Sequence, residues 1–190
     1  MSHGSPIIKV LINVIGHCTR MFIILTGTPG TGKTTVAKTL ASREYATITV
    51  EELARKHNCL EEIDGELEVD VEKLSKAVSQ PEDEVILEGH LAHFMPGRMN
   101  IILRCHPETI RKRLEDRGYD AEKVQENVEA EAIDLILSEA TQKCLFVFEI
   151  DASELSPEAI ADAIERIMNG EVDDYLPGKV DWSKVVMEWY

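Results

Sequence analysis

The sequence predicts an α/β, three-layer sandwich with a mostly parallel five-stranded sheet, and three observations carry that expectation. Short apolar runs at residues 22–26, 46–50, 85–87, 99–103 and 144–150 have strand length, and several are rich in β-branched side chains. Segments with helical spacing of apolar residues separate them. The first run leads straight into Gly27-Thr28-Pro29-Gly30-Thr31-Gly32-Lys33-Thr34-Thr35, a glycine-rich turn that opens a helix.

Composition bounds what such a chain does. At 190 residues it is long enough for one full core, and 44% hydrophobic with 29% charged residues is a globular balance. Twenty basic against 35 acidic residues give a net charge of −15. That surface repels phosphate backbones, so little direct nucleic-acid binding is expected; it fits a basic protein partner, or serves solubility alone. The four cysteines form no C-x-x-C pair, which argues against a zinc-ribbon lid or a disulfide framework and fits a reducing cytoplasm. No apolar run reaches the roughly 18 residues of a membrane span.

In chain order, residues 1–20 read as a leader or non-native extension, with residues 7–15 as the alternative of an added strand, and Met21 stands directly before the first strand. The turn that follows fits G-x-x-x-x-G-K-[ST], the phosphate-binding P-loop pattern. Its glycines let backbone N–H groups approach phosphate oxygens, Lys33 reaches the terminal phosphates as a point charge, and the Thr34 hydroxyl is a candidate Mg²⁺ ligand. Val36 and Leu40 mark the helix whose amino end faces the same phosphates. An ATP or GTP site follows. Residues 51–57 form a helix with acid at its start and base at its end, and the acidic stretch 61–72 is expected to be a mobile, solvated insertion. The strand 85–87 closes on Glu88, the carboxylate such a site needs for Mg²⁺. His90 follows in a loop, as a water-orienting group or as a structural loop histidine.

Pro107 opens a helix that Gly118 stops, and Asp120 caps a long second helix with Val124, Val128, Ala132 and Leu135 as its buried stripe. The pair hinged at residues 117–119 suggests a lid. Arg113 and Arg117, four apart, share a face from which both converge on transferring phosphates, or else pair with Glu108 or Asp116. Ser156 and Pro157 start the last helix, Gly170 ends it, and residues 171–190 form an acidic, aromatic tail.

This order, with the local runs at residues 24–35, 50–55, 88–90 and 113–119, resembles the nucleoside monophosphate kinases and, more narrowly, the adenylate kinase isoenzyme 6 family, their ribosome-maturation branch. The resemblance covers residues 21–170. It implies a P-loop NTPase fold with an AMP-binding insertion at 49–69 and a lid at 116–126, and the reaction of ATP with AMP to give two ADP. It also implies a role in maturing the small ribosomal subunit and its rRNA, beside the platform ribosomal protein that is eleventh in the bacterial numbering, with transient contact with pre-ribosomal particles. By position, Gly30, Gly32, Lys33, Thr34 and Thr35 match the family's ATP-binding loop, Arg117 matches its nucleotide-contacting lid arginine, and Arg55 is the expected AMP-phosphate contact. Glu88 stands where the family usually has Asp, which adds one methylene between backbone and metal. Lys33, Arg113 and Arg117 are then the expected stabilisers of the transferring group, and Thr34 with Glu88 the expected Mg²⁺ ligands. His90 would favour hydrolysis. An assembly ATPase with residual kinase activity, or another P-loop small-molecule kinase, uses the same motifs.

Overall fold

A computed structural model describes residues 21–63, 66–79 and 81–189; the extension read at residues 1–20 lies outside them. The central sheet comprises β1 (Phe22–Thr26), β2 (Ala46–Thr49), β5 (Val85–Glu88), β6 (Gly97–Arg104) and β7 (Val147–Asp151). Its order is β2-β5-β1-β6-β7, and every pairing is parallel. All five carboxyl ends therefore lie along one edge, where open α/β sheets bind ligands.

Alternation along the strands builds two cores. Ile23, Leu25, Met99, Ile101 and Leu103 face α1 (Lys33–Ser42) and α7 (Pro157–Met168), meeting Val36, Leu40, Ile160 and Ile164. Phe22, Ile24 and Leu87 face the other side, against α2 (Val50–Lys56) and α3 (Val71–Ala77) through Val50, Leu53 and Leu74. Each fully buried Leu or Ile contributes about 1.5–3 kcal/mol.

Four segments differ from the sequence reading. The acidic stretch forms an antiparallel hairpin, β3 (Leu60–Ile63) with β4 (Glu66–Val69), pairing Leu60 with Val69 and Glu61 with Glu68. The helix capped by Asp120 is broken. After α4 (Pro107–Glu115), α5 spans Ala121–Ala132, and Asp134, at φ 57°, turns the chain into α6 (Leu135–Lys143). Leu135 is consequently 41% exposed and not part of the buried stripe. The last strand starts at Val147, which leaves Leu145 exposed ahead of it. Residues 171–189, set apart as a tail, return to the domain: Val172 and Trp182 are buried, and α8 (Ser183–Met187) lies against α5.

Candidate active site

The loop between β1 and α1 is shaped by backbone demands. Gly27 has φ 141°, and a Cβ there would stand 2.3 Å from the Leu103 carbonyl oxygen of β6. Gly32, at φ 99°, turns the chain into α1. Within the loop Lys33, 8% exposed, donates from Nζ to the carbonyls of Gly27 at 2.7 Å and Thr28 at 3.0 Å. Burial lowers its pKa to about 8, opposed by Glu88 and Glu131 and assisted by Arg117.

A cleft of about 750 Å³ opens over this loop. Gly30, Gly32, Lys33, Thr34 and Thr35 line it, with Glu88 and His90 from the carboxyl end of β5 and the loop after it. Thr49, Val50 and Glu51 from the start of α2, and Leu67, Glu68 and Val69 from β4, line it as well. Arg117, Tyr119, Lys123 and Asn127 come from the turn and helix that close over it. Thr34 Oγ1 donates to Glu88 Oε1 at 3.3 Å. The Glu88 carboxyl is raised above the ordinary range by burial, against the pull of Lys33 and the Thr34 hydrogen bond. His90 is lowered by burial and then by Lys33 and His93, so it lines the cleft as a neutral ring.

Two predicted arginines lie elsewhere. Arg113 Nη1 donates to the Gly30 carbonyl at 2.9 Å and lies 3.5 Å from Cys105 Sγ, behind the loop and outside the cleft lining. The shared-face argument fails because α4 ends at Glu115, so Arg117 lies in the following turn, where helical spacing no longer applies. Arg55 is exposed, pairs with Glu51 at 2.9 Å, and is also outside the lining. The turn between the helices falls at its expected residues: Gly118 has φ 77°, and Asp120 accepts from the Lys123 N–H at 2.8 Å to start α5.

Sequence reasoning missed a buried support behind the loop. Thr28 Oγ1 donates to Glu131 Oε2 at 2.7 Å, and Arg104 joins Glu131, Glu149 and Asp134. On the other side, Thr26 Oγ1 lies 3.3 Å from His93 Nδ1, and His93 Nε2 lies 3.0 Å from Glu139. Burial holds the His93 pKa below its ordinary value, with Glu139 and a hydrogen bond to the His90 backbone raising it and Lys143 lowering it. The unfolded chain then takes up this proton first as pH falls. Stability is full above the unfolded histidine value near 6.5, falls below it, and levels off at the folded pKa. Urea unfolding between pH 7.5 and 5.5 should show this slope, and His93→Asn should flatten it; identical slopes would remove His93 as the source.

A model of the AAA domain family matches residues 23–134. A protein of Archaeoglobus fulgidus named "Putative adenylate kinase" is 46% identical over 166 residues, covering 85% of this chain and 92% of its own. One of the same name from Pyrococcus abyssi is 42% identical over 171 residues, covering 88% and 94%. In fold, the chain is similar to shikimate kinase from Acinetobacter baumannii, with a TM-score of 0.54, 16% identity and coverage of 80% and 95%. It is similar also to deoxyadenosine kinase from M. mycoides, with a TM-score of 0.52, 18% identity and coverage of 80% and 100%. With these identities spanning most of both chains, and with a parallel sheet that carries a phosphate loop at its carboxyl edge, this chain belongs to the archaeal adenylate kinase family that those relatives represent.

Proposed function

We propose that the chain is an adenylate kinase-like phosphotransferase that moves the γ-phosphoryl group of ATP to AMP, giving two ADP, with slower transfer to water. The observation that carries this reading is one cleft lined both by a phosphate loop and by the start of α2 and β4. An ATP phosphate chain fits against the loop and an acceptor against α2 and β4, the arrangement that in-line transfer requires.

The protein's own part is placement and charge. The Lys33 ammonium, held on the Gly27 and Thr28 carbonyls, is poised to turn onto the β and γ phosphates of ATP. Arg117, at the cleft mouth beside the hinge, adds a second cation over the charge that spreads on the transferring group. The donor set for Mg²⁺ fits its chemistry: Thr34 and Glu88 offer hard oxygens 3.3 Å apart, and burial makes Glu88 costly to ionise without a cation. When bound, Mg²⁺ neutralises phosphate charge there. An AMP phosphate oxygen is already anionic and needs no general base. His90, a neutral ring in the lining, is placed to orient water and so supports hydrolysis. Arg113 acts by holding the Gly30 carbonyl rather than by touching phosphate. Arg55 reaches an AMP phosphate only after leaving Glu51.

One observation favours the second reading, an assembly ATPase for a basic ribosomal protein of the small-subunit platform, engaged within pre-ribosomal particles. In the hairpin Glu61 stands directly opposite Glu68, both exposed, and Glu68 lines the cleft. Like charges directly opposite are destabilising, and a cationic polypeptide laid across them relieves that repulsion. ADP formation from ATP separates the readings when measured alone, with AMP, and with the purified basic protein. Acceleration by AMP of about tenfold or more supports the kinase. Acceleration by the protein alone replaces it with the ATPase. Acceleration by neither, with transfer to another small acceptor, rejects both.

A further inference from the structure

The carboxylate of Glu131, near the end of α5, is fully buried and saturated with donors. Its Oε1 accepts from Arg104 Nε at 2.8 Å, from the Cys105 N–H at 3.2 Å and from the indole Nε1–H of Trp182 at 3.1 Å. Its Oε2 accepts from the Thr28 hydroxyl at 2.7 Å. Thr28 is the second residue of the phosphate loop. Its own carbonyl accepts from the Thr31 N–H, the Thr31 hydroxyl and Lys33 Nζ, at 3.2, 2.9 and 3.0 Å. Thr28 is thus tied on both sides, to the loop's interior by its carbonyl and to the protein behind the loop by its hydroxyl.

Trp182 belongs to the returning C-terminal segment, 51 residues along the chain from Glu131. That segment has a second attachment to the same cluster. The backbone N–H groups of Lys179 and Val180 donate to Glu149 Oε1 at 2.6 and 3.0 Å, while Glu149 Oε2 accepts from Arg104 Nη1 at 3.2 Å. The indole also packs edge-on against His106 at the start of α4, with ring centroids 5.3 Å apart. A segment that merely covered the core would need an apolar ring here. Instead the indole nitrogen takes one of the few places on a buried carboxylate whose second oxygen holds the loop.

We propose that residues 172–182 brace the phosphate loop for its triphosphate, with Trp182 and Glu131 as positioning residues that act through Thr28. The physical reason is geometric. Three donors on Oε1 fix the plane of the carboxylate, and that plane sets where Oε2 meets Thr28. Loss of the indole donor frees the carboxylate to rotate, Thr28 loses its outer tether, and the loop must be ordered at the expense of nucleotide binding. The inference rests on the reading that this loop binds ATP.

The test uses the full chain with Trp182→Phe, Thr28→Val, the double variant and Thr28→Ser. ATP affinity is read by calorimetric titration, KM for ATP and for AMP by initial rates, and folding by thermal unfolding. Trp182→Phe and Thr28→Val should each weaken ATP binding about tenfold, the size expected for one hydrogen bond to a charged group. The KM for AMP should not move, and Thr28→Ser should restore affinity. Because both variants break one chain of contacts, the double variant should be no weaker than the worse single by more than about twofold. Wild-type ATP affinity in either single variant, or two losses that multiply in full, would overturn the brace. If Trp182→Phe does not fold, the Thr28→Val and Thr28→Ser pair decides alone, since a hydroxyl without effect leaves the brace nothing to act through. A wild-type chain that binds no ATP rejects the nucleotide reading and the brace with it; ATP binding that ignores Trp182→Phe and Thr28→Val rejects the brace only.

Discussion

Lys33→Ala should lower phosphoryl transfer by about three orders of magnitude, whichever acceptor proves to be used, while leaving the fold intact. The ammonium is the cation most deeply set in the cleft, buried and held inside the loop. Removing one preorganised charge from the place where charge develops costs about 10²–10³ in turnover, and here ATP affinity falls as well. Stability should be unchanged or higher. The lysine pKa, lowered to about 8 from 10.5, shows that the folded state holds this charge at a cost, which alanine removes. Initial rates, ATP titration and thermal unfolding of the purified variant check all three. A well-folded variant with near wild-type turnover would end the assignment of this loop to phosphate.

Arg104→Ala should produce the largest loss of stability, about 3–5 kcal/mol, a large share of the 5–15 kcal/mol typical of a domain. The guanidinium is almost wholly buried and is shared by Glu131 and Glu149, each with a side chain no more than 2% exposed, and by Asp134. Without it two carboxylates lie buried with no cation beside them. Asp134, whose left-handed conformation turns the chain between α5 and α6, loses its partner. Arg104→Lys should rescue little, because a single ammonium cannot reproduce a planar fork that meets three acids at once. Urea unfolding measures the difference, and a loss below about 1 kcal/mol would show that the cluster relaxes or takes in water.

The sheet was legible because each strand announces itself locally. Apolar runs such as Phe22–Leu25 and Ile101–Leu103 are buried on both faces, so their composition alone marks them. The phosphate loop was legible for a similar reason, since Gly27, Gly32 and Lys33 are fixed by chemistry at close spacing. The hairpin was not. Its strands hold Glu61, Glu62 and Glu68, and what makes them strands is pairing across the turn rather than a buried face. The break at Asp134 was hidden because a non-glycine residue takes a positive φ there, beside an arginine 30 residues away in sequence. Thr28, Glu131 and Trp182 meet only through the fold, 103 and 51 residues apart, and no periodicity reports such a meeting. Arg113 and Arg117 have helical spacing in the sequence, but the helix stops between them, so that spacing does not place them on one face.

The helix pair α4 and α5, in which the sequence suggests a lid, has an unusual mooring. Its first helix is tied to the loop by Arg113 on the Gly30 carbonyl, and its second by Glu131 on the Thr28 hydroxyl. The two anchor points are only two residues apart, so loop, α4, hinge and α5 form a closed ring. A lid fastened to a distant wall swings independently of what lies beneath it. In this ring, a shift of the loop on binding phosphate would carry both attached helices together. Arg117 and Tyr119, in the turn between them, would then move in step with the loop.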